Sequence, residues 1–467
     1  MKSNICESNI SQESREIMKT IGNIARSINE KCFAVGGIVR DCILGRENDD
    51  LDIVCTDITK VANELERRSI AKNITSEKGI TKQNFFTNIM IFNNGKKVDL
   101  VEPRKETYVK ESIKPIVEKG TLEDDVMRRD FTINTLHLGI SDNDWMYIYD
   151  HTSKGISDIN KKIIRTPRDP KITFDEDPSR ILRAVRFAAC YNFTIDPNVK
   201  QAIKNMTKEI SRVSSELINK EIMKGAKCDN YFRLMYETDL MNEIMPEITK
   251  LKNVKQNPQH HKFDALEHTF GVVDNLPHDS LLRMVGILHD AGKAITTKED
   301  GSSYDHEKYS KEIAENILNR LKFSNNDKNF ILTLVENHMR LHNFPENATE
   351  KATRKFINET KKYYENLKII SEADIRSDSP NVDEKIKIMN KKIENIEAVK
   401  KNMESIFGPS FKLSINGNDI RKYGWEKQNI GIIKTHIEKK VIDGELKNDR
   451  EELLQYLKTL KMNEVNE

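Results

Sequence analysis

The stretch Cys32–Thr56, CFAVGGIVRDCILGRENDDLDIVCT, decides how the chain is read. Its apolar opening, Cys32–Val35, predicts a strand. The strand stops at Gly36-Gly37, where no β-carbon blocks close approach of a ligand. Ile38–Leu44 fits a short helix, and Gly45 suits its end. A second strand follows, with Asp50 and Asp52 two residues apart, so period-two geometry puts both carboxylates on one face. The start of a helix after a diglycine turn offers backbone N–H groups to an anion. Two carboxylates on one strand repel each other unless a cation lies between them. A phosphate cradle beside a carboxylate pair points to nucleotidyl transfer, with two metals about 4 Å apart holding the attacking and leaving oxygens. The bland alternative is a βαβ turn with solvated aspartates.

Gly36, Gly37, Arg40, Asp41, Gly45, Asp50 and Asp52 occur together, which a bland turn does not explain. The set resembles the nucleotidyltransferase signature of the polymerase-β superfamily, in the branch holding tRNA CCA-adding enzymes and bacterial poly(A) polymerases. The resemblance implies that Asp50 and Asp52 hold Mg²⁺ and that Gly36, Gly37 and Arg40 bind a triphosphate.

At 467 residues the chain is too long for one ordinary core, which predicts two to four modules. Basic and acidic residues number 76 and 74, a net charge of +2, so any nucleic-acid surface is a local patch. An aromatic content of 7% argues against stacking platforms for single strands. The six cysteines form no C-x-x-C pair and are read as reduced thiols of a cytoplasmic protein. The N-terminal MKSNICESNISQES lacks the apolar core of a signal peptide, and no apolar run is long enough to span a bilayer. The sequence calls for no membrane and no obligate protein partner.

Before the first strand, Ile17, Ile21, Ile24 and Ile28 share one helical face. After Asp52 come a helix over 58–68 and strands over 84–92 and 96–101, the latter two joined by the hairpin signal Asn93-Asn94-Gly95. Asp99, on the second of these strands, is either a third metal-facing carboxylate or an edge-strand residue in solvent. Residues 104–123 are polar and predict an irregular, mobile loop. They resemble the flexible loop of CCA-adding enzymes, with one departure: relatives carry an arginine before the Lys-Pro pair, where this chain has Ile113. Arg128-Arg129-Asp130-Phe131-Thr132-Ile133-Asn134 follows. Arginine forks match phosphate geometry, so Arg129 is assigned to the triphosphate. Asp130 and Asn134 are assigned to orienting an arginine or a sugar hydroxyl. The run resembles the R-R-D-F-T-I-N motif of the same family, and Asp150, Gly155, Asp158 and Arg165 resemble its connecting motif, with a structural or hinge role.

The third informative stretch is Glu176–Ala189, EDPSRILRAVRFAA. Asp177 suits an N-cap and Pro178 the first helical position. Ile181, Leu182, Val185, Ala188 and Ala189 form one apolar stripe, and Arg180, Arg183 and Arg186 follow at three-residue steps. These polar residues either cap and solvate a helix or read a base. A carboxylate accepts and a guanidinium donates, which together match the exocyclic amine and ring-nitrogen acceptor of cytosine and adenine. Uracil and guanine oppose like with like, at roughly 1–3 kcal/mol per buried mismatch. The stretch resembles the E-D-x-x-R motif of class II CCA-adding enzymes, which implies base reading by Asp177 and Arg180 and nucleotide contacts by Arg183 and Arg186.

A separate constellation follows a lysine-rich helical stretch over 190–255. His268, His289-Asp290, His306, His338 and Asp374 sit in H…HD…H…H…D order. Imidazoles and carboxylates from separate helices can converge on a divalent metal whose bound water attacks phosphate esters. The segment resembles an HD-domain phosphohydrolase. That implies His268, His289, Asp290 and Asp374 as core ligands of a divalent transition metal, and His306 and His338 as extra ligands of two-metal members. Lys293 is placed near phosphate, and His260 and His261 are read as loop residues at the site. Beyond 386 a charged helix and a tail of small helices follow, whose Lys and Arg side chains are offered to tRNA backbone.

The predicted fold class is α+β. A small mixed-sheet polymerase-β-like head (1–150) precedes a mostly all-α neck (151–250), an HD domain (251–385) and a helical tail (386–467). The predicted function is template-independent addition of CCA to tRNA from CTP and ATP, with tRNA as partner and pyrophosphate released. The alternatives are a poly(A) polymerase, a partial CC- or A-adding enzyme, and an HD phosphohydrolase with an inactive head.

Overall fold

The computed structural model describes residues 4–74, 86–108, 115–257, 263–378, 380–407, 412–442 and 444–460. His260, His261 and Ile113 lie outside them. The chain divides into two compact units, one of residues 1–249 with 319–323, the other of 250–318 with 324–467.

The first unit is built on a seven-stranded mixed sheet. Its strands are β1 (Cys32–Val35), β2 (Leu51–Cys55), β3 (Ala71–Asn73), β4 (Thr87–Phe92), β5 (Lys97–Val101), β8 (His137–Gly139) and β9 (Ile148–Tyr149). A separate antiparallel ribbon pairs β6 (Arg104–Thr107) with β7 (Ile116–Lys119). The sheet order is β3-β4-β5-β2-β1-β8-β9, with β2 and β5 parallel. β4 and β5 turn at Asn93-Asn94-Gly95, as the sequence predicts. Both catalytic candidates on the sheet, Asp52 and Asp99, are therefore on interior strands.

Helix Gln12–Ser27 carries the predicted isoleucine face, with Ile17, Ile21 and Ile24 buried. It lies so close to the chain that a β-carbon at Gly22 would stand 2.4 Å from the Ile140 carbonyl oxygen. Helix Ile58–Arg67 buries Ile58, Val61, Ala62 and Leu65. The segment 104–123 departs from expectation. Its flanks pair as β6 and β7, where the β-branched Thr107, Ile116 and Val117 favour extended backbone.

The expectation of reduced thiols is also corrected. β1 and β2 run antiparallel with Cys32 opposite Cys55, which brings their Cα atoms to 4.2 Å, and the two are disulfide-bonded. Cys190 and Cys228, with Cα atoms 4.9 Å apart, are bonded as well. Strand register and helix packing create both pairs, and neither is visible in the linear spacing.

The rest of this unit is mostly helical, apart from a short parallel pair of Ile163–Ile164 with Thr194–Ile195, and is led by Ser179–Tyr191, which packs on Ser215–Gly225 and Tyr231–Glu237. The second unit is all helical among the described residues. Ala265–Asn275 packs on Tyr364–Asp378 and on Ser280–Leu288, which also packs on Asn325–Asn337. Helix Val382–Phe407 runs continuously through the domain boundary expected at 386. No described helix is long and apolar enough to cross a membrane.

At Gly22 the obstructing atoms are backbone and cannot yield cheaply. Gly22→Ala is expected to destabilise the protein by about 1–3 kcal/mol, measured by urea unfolding.

Two candidate functional sites

A cleft of about 460 Å³ opens in the first unit. Its lining includes Gly36, Gly37, Arg40, Asp52, Arg129, Asp130, Asn134, Asp177, Arg180 and Arg183. Gly36 has φ +74°, which a side chain disfavours. A β-carbon there would also stand 3.7 Å from the Arg129 guanidinium and 3.8 Å from an Asp52 oxygen. Glycine thus keeps the floor open between the Arg129 guanidinium and the Asp52 carboxylate.

Asp52 lies directly across from Asp99 in the parallel β2–β5 register. This removes the edge-strand alternative for Asp99. Burial raises the pKa of Asp52; Asp99 and Asp50 push it further, against Arg129 and Lys97. Asp50 is exposed just ahead of β2, with its backbone N–H donating to Asn48 Oδ1 at 2.9 Å. It lies outside the cleft lining but close enough to act on Asp52. Two carboxylates on adjacent strands, Asp52 and Asp99, partly offset by Lys97 at 3.0 Å from Asp99, suit a divalent cation.

Behind the cleft runs a continuous polar chain. Arg183 donates through Nε and Nη2 to Asp130 Oδ2, at 2.8 and 2.6 Å. Asn134 Nδ2 donates to Asp130 Oδ1 at 2.9 Å, and Arg40 Nη1 donates to Asn134 Oδ1 at 2.7 Å. Arg40 also forks onto both oxygens of Asp41, each at 2.9 Å, and Tyr191 Oη donates to Asp41 at 3.0 Å. Burial alone would raise the pKa of Asp130, but Arg183 and Asn134 hold it below the usual value. Asp130 thus orients an arginine, as one of its two expected roles required. Arg40 faces the cleft while most of its fork is spent inside the protein.

Arg129 is aimed the same way. Its Nε and Nη2 donate to the fully buried Asp125 at 3.1 and 2.8 Å, and its Nη1 donates to the Asn134 carbonyl. Asp125 was missed in the sequence; its signal was the i,i+4 spacing to Arg129 on a short helix start.

Asp177 corrects the predicted cap by one residue. Helix Ser179–Tyr191 begins after Pro178, and Asp177 Oδ1 accepts from Ser179 N at 3.0 Å and Ser179 Oγ at 2.6 Å. Its other oxygen stands 3.8 Å from Arg180 Nε. Arg180 is buried and donates to the carbonyls of Thr173 and Arg128, at 3.2 and 2.7 Å, which fix its guanidinium. Arg186 is placed elsewhere: it donates to the buried Glu221 at 2.6 Å and does not line the cleft. The three-residue step rotates successive arginines around the helix, so only the first two reach the cleft.

In the second unit, His268, His289, Asp290, His306, His338 and Asp374 converge as predicted. His268 Nε2 lies 3.3 Å from Asp290 and 3.0 Å from Asp374, and His289 Nε2 lies 3.2 Å from Asp290. His306 Nε2 lies 3.1 Å from Asp290 and 3.2 Å from His338 Nε2. His289, His306 and His338 each turn Nδ1 to a backbone carbonyl, of Gly286, Ser303 and Val335. With the proton on Nδ1, each Nε2 presents a lone pair inward. Burial would raise the pKa values of Asp290 and Asp374. Among the groups that instead hold them well down, His289 and Lys293 act most on Asp290, and His268 and His342 on Asp374. Lone pairs and anions facing one another in a buried space fit a metal ion, with carbonyls as the outer partners that orient the imidazoles. His342, 3.0 Å from Asp374, was missed because it lies four residues beyond His338 and reads as an ordinary surface histidine.

A model of the poly A polymerase head domain matches residues 32–165, a probable RNA and SrmB-binding site of polymerase A matches 192–252, and the HD domain matches 265–377. Each of the three models thus matches a separate part of the chain, the poly A polymerase head domain lying within the first unit. It is 34% identical over 223 residues to tRNA nucleotidyltransferase cca2 of Schizosaccharomyces pombe, covering 44% of this chain and 46% of that protein. It is 31% identical over 253 residues to the multifunctional CCA protein of Actinobacillus pleuropneumoniae, covering 50% and 60%. The match thus spans less than two thirds of either relative. The fold is similar to that of Bacillus stearothermophilus CCA-adding enzyme in complex with CTP, with a TM-score of 0.62, 18% identity, and 96% and 97% of the two chains covered.

The head's polar chain makes its own prediction. Asp130→Ala strands the Arg183 guanidinium and is expected to cost about 3 kcal/mol in urea unfolding. Asp52→Asn is expected to act oppositely, raising Tm in chelator-treated protein by relieving repulsion from Asp99. An unchanged or lower Tm would show that the carboxylates do not strain one another.

Proposed function

We propose that this protein adds C and A to the 3′ ends of tRNA from CTP and ATP without a nucleic-acid template. The observation that carries the proposal is the Asp177–Arg180 pair, an acceptor and a fixed donor in the lining of a cleft that also holds Asp52 and Arg129. The names of the relatives support it.

In this reading the base lies against Asp177 and Arg180, which accept from its exocyclic amine and donate to its ring nitrogen. Arg129, with Gly36 and Gly37 leaving room, holds the triphosphate, and Arg183 lines the cleft beside it. The primer 3′-oxygen attacks the α-phosphorus, the bond to the β-phosphate oxygen breaks, and pyrophosphate leaves. Asp50, Asp52 and Asp99 would hold Mg²⁺, which acidifies the attacking hydroxyl and neutralises the leaving group. In the HD unit, His268, His289, Asp290 and Asp374, with His306 and His338, would hold a divalent transition metal. That ion supplies an activated water for hydrolysing phosphate esters.

Two assays test this. Purified protein with tRNA lacking CCA is given CTP, ATP or both. Full CCA appears only with both nucleotides, whereas A tails on arbitrary RNA without CTP use would replace the proposal with poly(A) polymerisation. Asp52→Ala abolishes addition, while His289→Ala removes phosphatase activity and leaves addition intact. Loss of both activities in His289→Ala would contradict two separate centres.

A further inference from the structure

Beside the histidine–aspartate centre lies a cavity of about 500 Å³. Asp290, Lys293, His306 and His338 form part of its wall. Another part comes from helix Val382–Phe407, which lies beyond the HD match ending at residue 377. That helix contributes Lys385, Ile388, Met389 and Lys392.

Ser371 lines this cavity, is 1% exposed, and its hydroxyl has no hydrogen-bond partner. It sits within helix Tyr364–Asp378, where a serine ordinarily returns its hydroxyl to the carbonyl four residues back. Thr353 and Thr360 do this in the neighbouring helix, donating to Thr349 and Phe356 carbonyls at 3.0 and 2.8 Å. The Thr297 hydroxyl, also lining the cavity, is likewise buried without a partner. Each such group is desolvated without compensation unless something in the cavity satisfies it.

The arrangement has direction. Ser371 precedes Asp374 by three residues, about 4.5 Å along the helix axis. Lys293, 8% exposed, places its ammonium 2.6 Å from Asp290, so the centre's end of the cavity is cationic once metal is present. Leu341, Ile375, Ile388 and Met389 make the intervening wall apolar.

We propose that this cavity binds a small hydroxylated phosphate ester, such as a pentose phosphate. Its phosphate lies at Lys293 and the centre, its carbon skeleton lies on Ile375, Ile388 and Met389, and a ligand hydroxyl bonds Ser371. The helix after the HD domain thereby selects which ester is accepted. The proposal rests on the reading of the centre as a metal-assisted phosphate site.

The test is calorimetry on the full chain, titrated first with Mn²⁺, then with inorganic phosphate and ribose 5-phosphate. Ribose 5-phosphate is expected to bind more tightly than phosphate. Ser371→Ala weakens the ester about five- to tenfold, the worth of one hydrogen bond, and leaves phosphate and Mn²⁺ unchanged. Ile388→Glu weakens the ester through charge while Mn²⁺ still binds. The proposal is overturned if Mn²⁺-loaded protein binds neither probe, or if both variants bind the ester as the parent does. Failure to bind Mn²⁺ would instead overturn the metal-site reading, and this proposal with it.

Discussion

The head depends on one run of charge and amide groups, the half-buried Arg183 and the buried Asp130, Asn134, Arg40 and Asp41. It joins the helix after the diglycine turn, the arginine-rich motif and helix Ser179–Tyr191. Each member sits where burial penalises an unpaired polar group, so each holds its neighbour to one orientation. The cleft surface is then made by what the run leaves over: the outward side of Arg40, the second anchored arginine Arg129, and the Asp177–Arg180 pair. The proposed reading of cytosine against uracil needs donors and acceptors that do not rotate, and this framework would supply them.

The same logic appears in the second unit with carbonyls in place of carboxylates. Gly286, Ser303 and Val335 fix three imidazoles by Nδ1, and the inward lone pairs converge on Asp290. The acidic strand of the head and the imidazoles of the HD unit are thus two solutions to one constraint. Each gathers groups able to bind a cation, and each uses the surrounding fold to hold them together.

Much of this was legible in the sequence because it is local. The strand ending at Gly36, the Asn-Gly hairpin and the order of histidines all follow from spacing along the chain, whereas the expected Asp50–Asp52 strand pair does not hold, because β2 begins only at Leu51. What was not legible depends on register and packing. Asp99 became a credible third carboxylate only when β5 was found beside β2 in parallel register. Cys32 and Cys55 met for the same reason across β1 and β2. Arg186 repeats the spacing of Arg180 and Arg183, yet helix rotation takes it to Glu221. Asp125 and His342 carried weak local signals, and their roles emerge from burial and from the partners they touch.

The central claim is that protein side chains alone read the incoming base. Equilibrium binding of the four nucleoside triphosphates in the presence of Ca²⁺, without primer, tests it most directly. The account predicts that CTP and ATP bind alike and that UTP and GTP bind at least about tenfold more weakly, the cost of one buried mismatch. Asp177→Ala should bring all four together. Equal binding of all four by the parent protein would contradict the account.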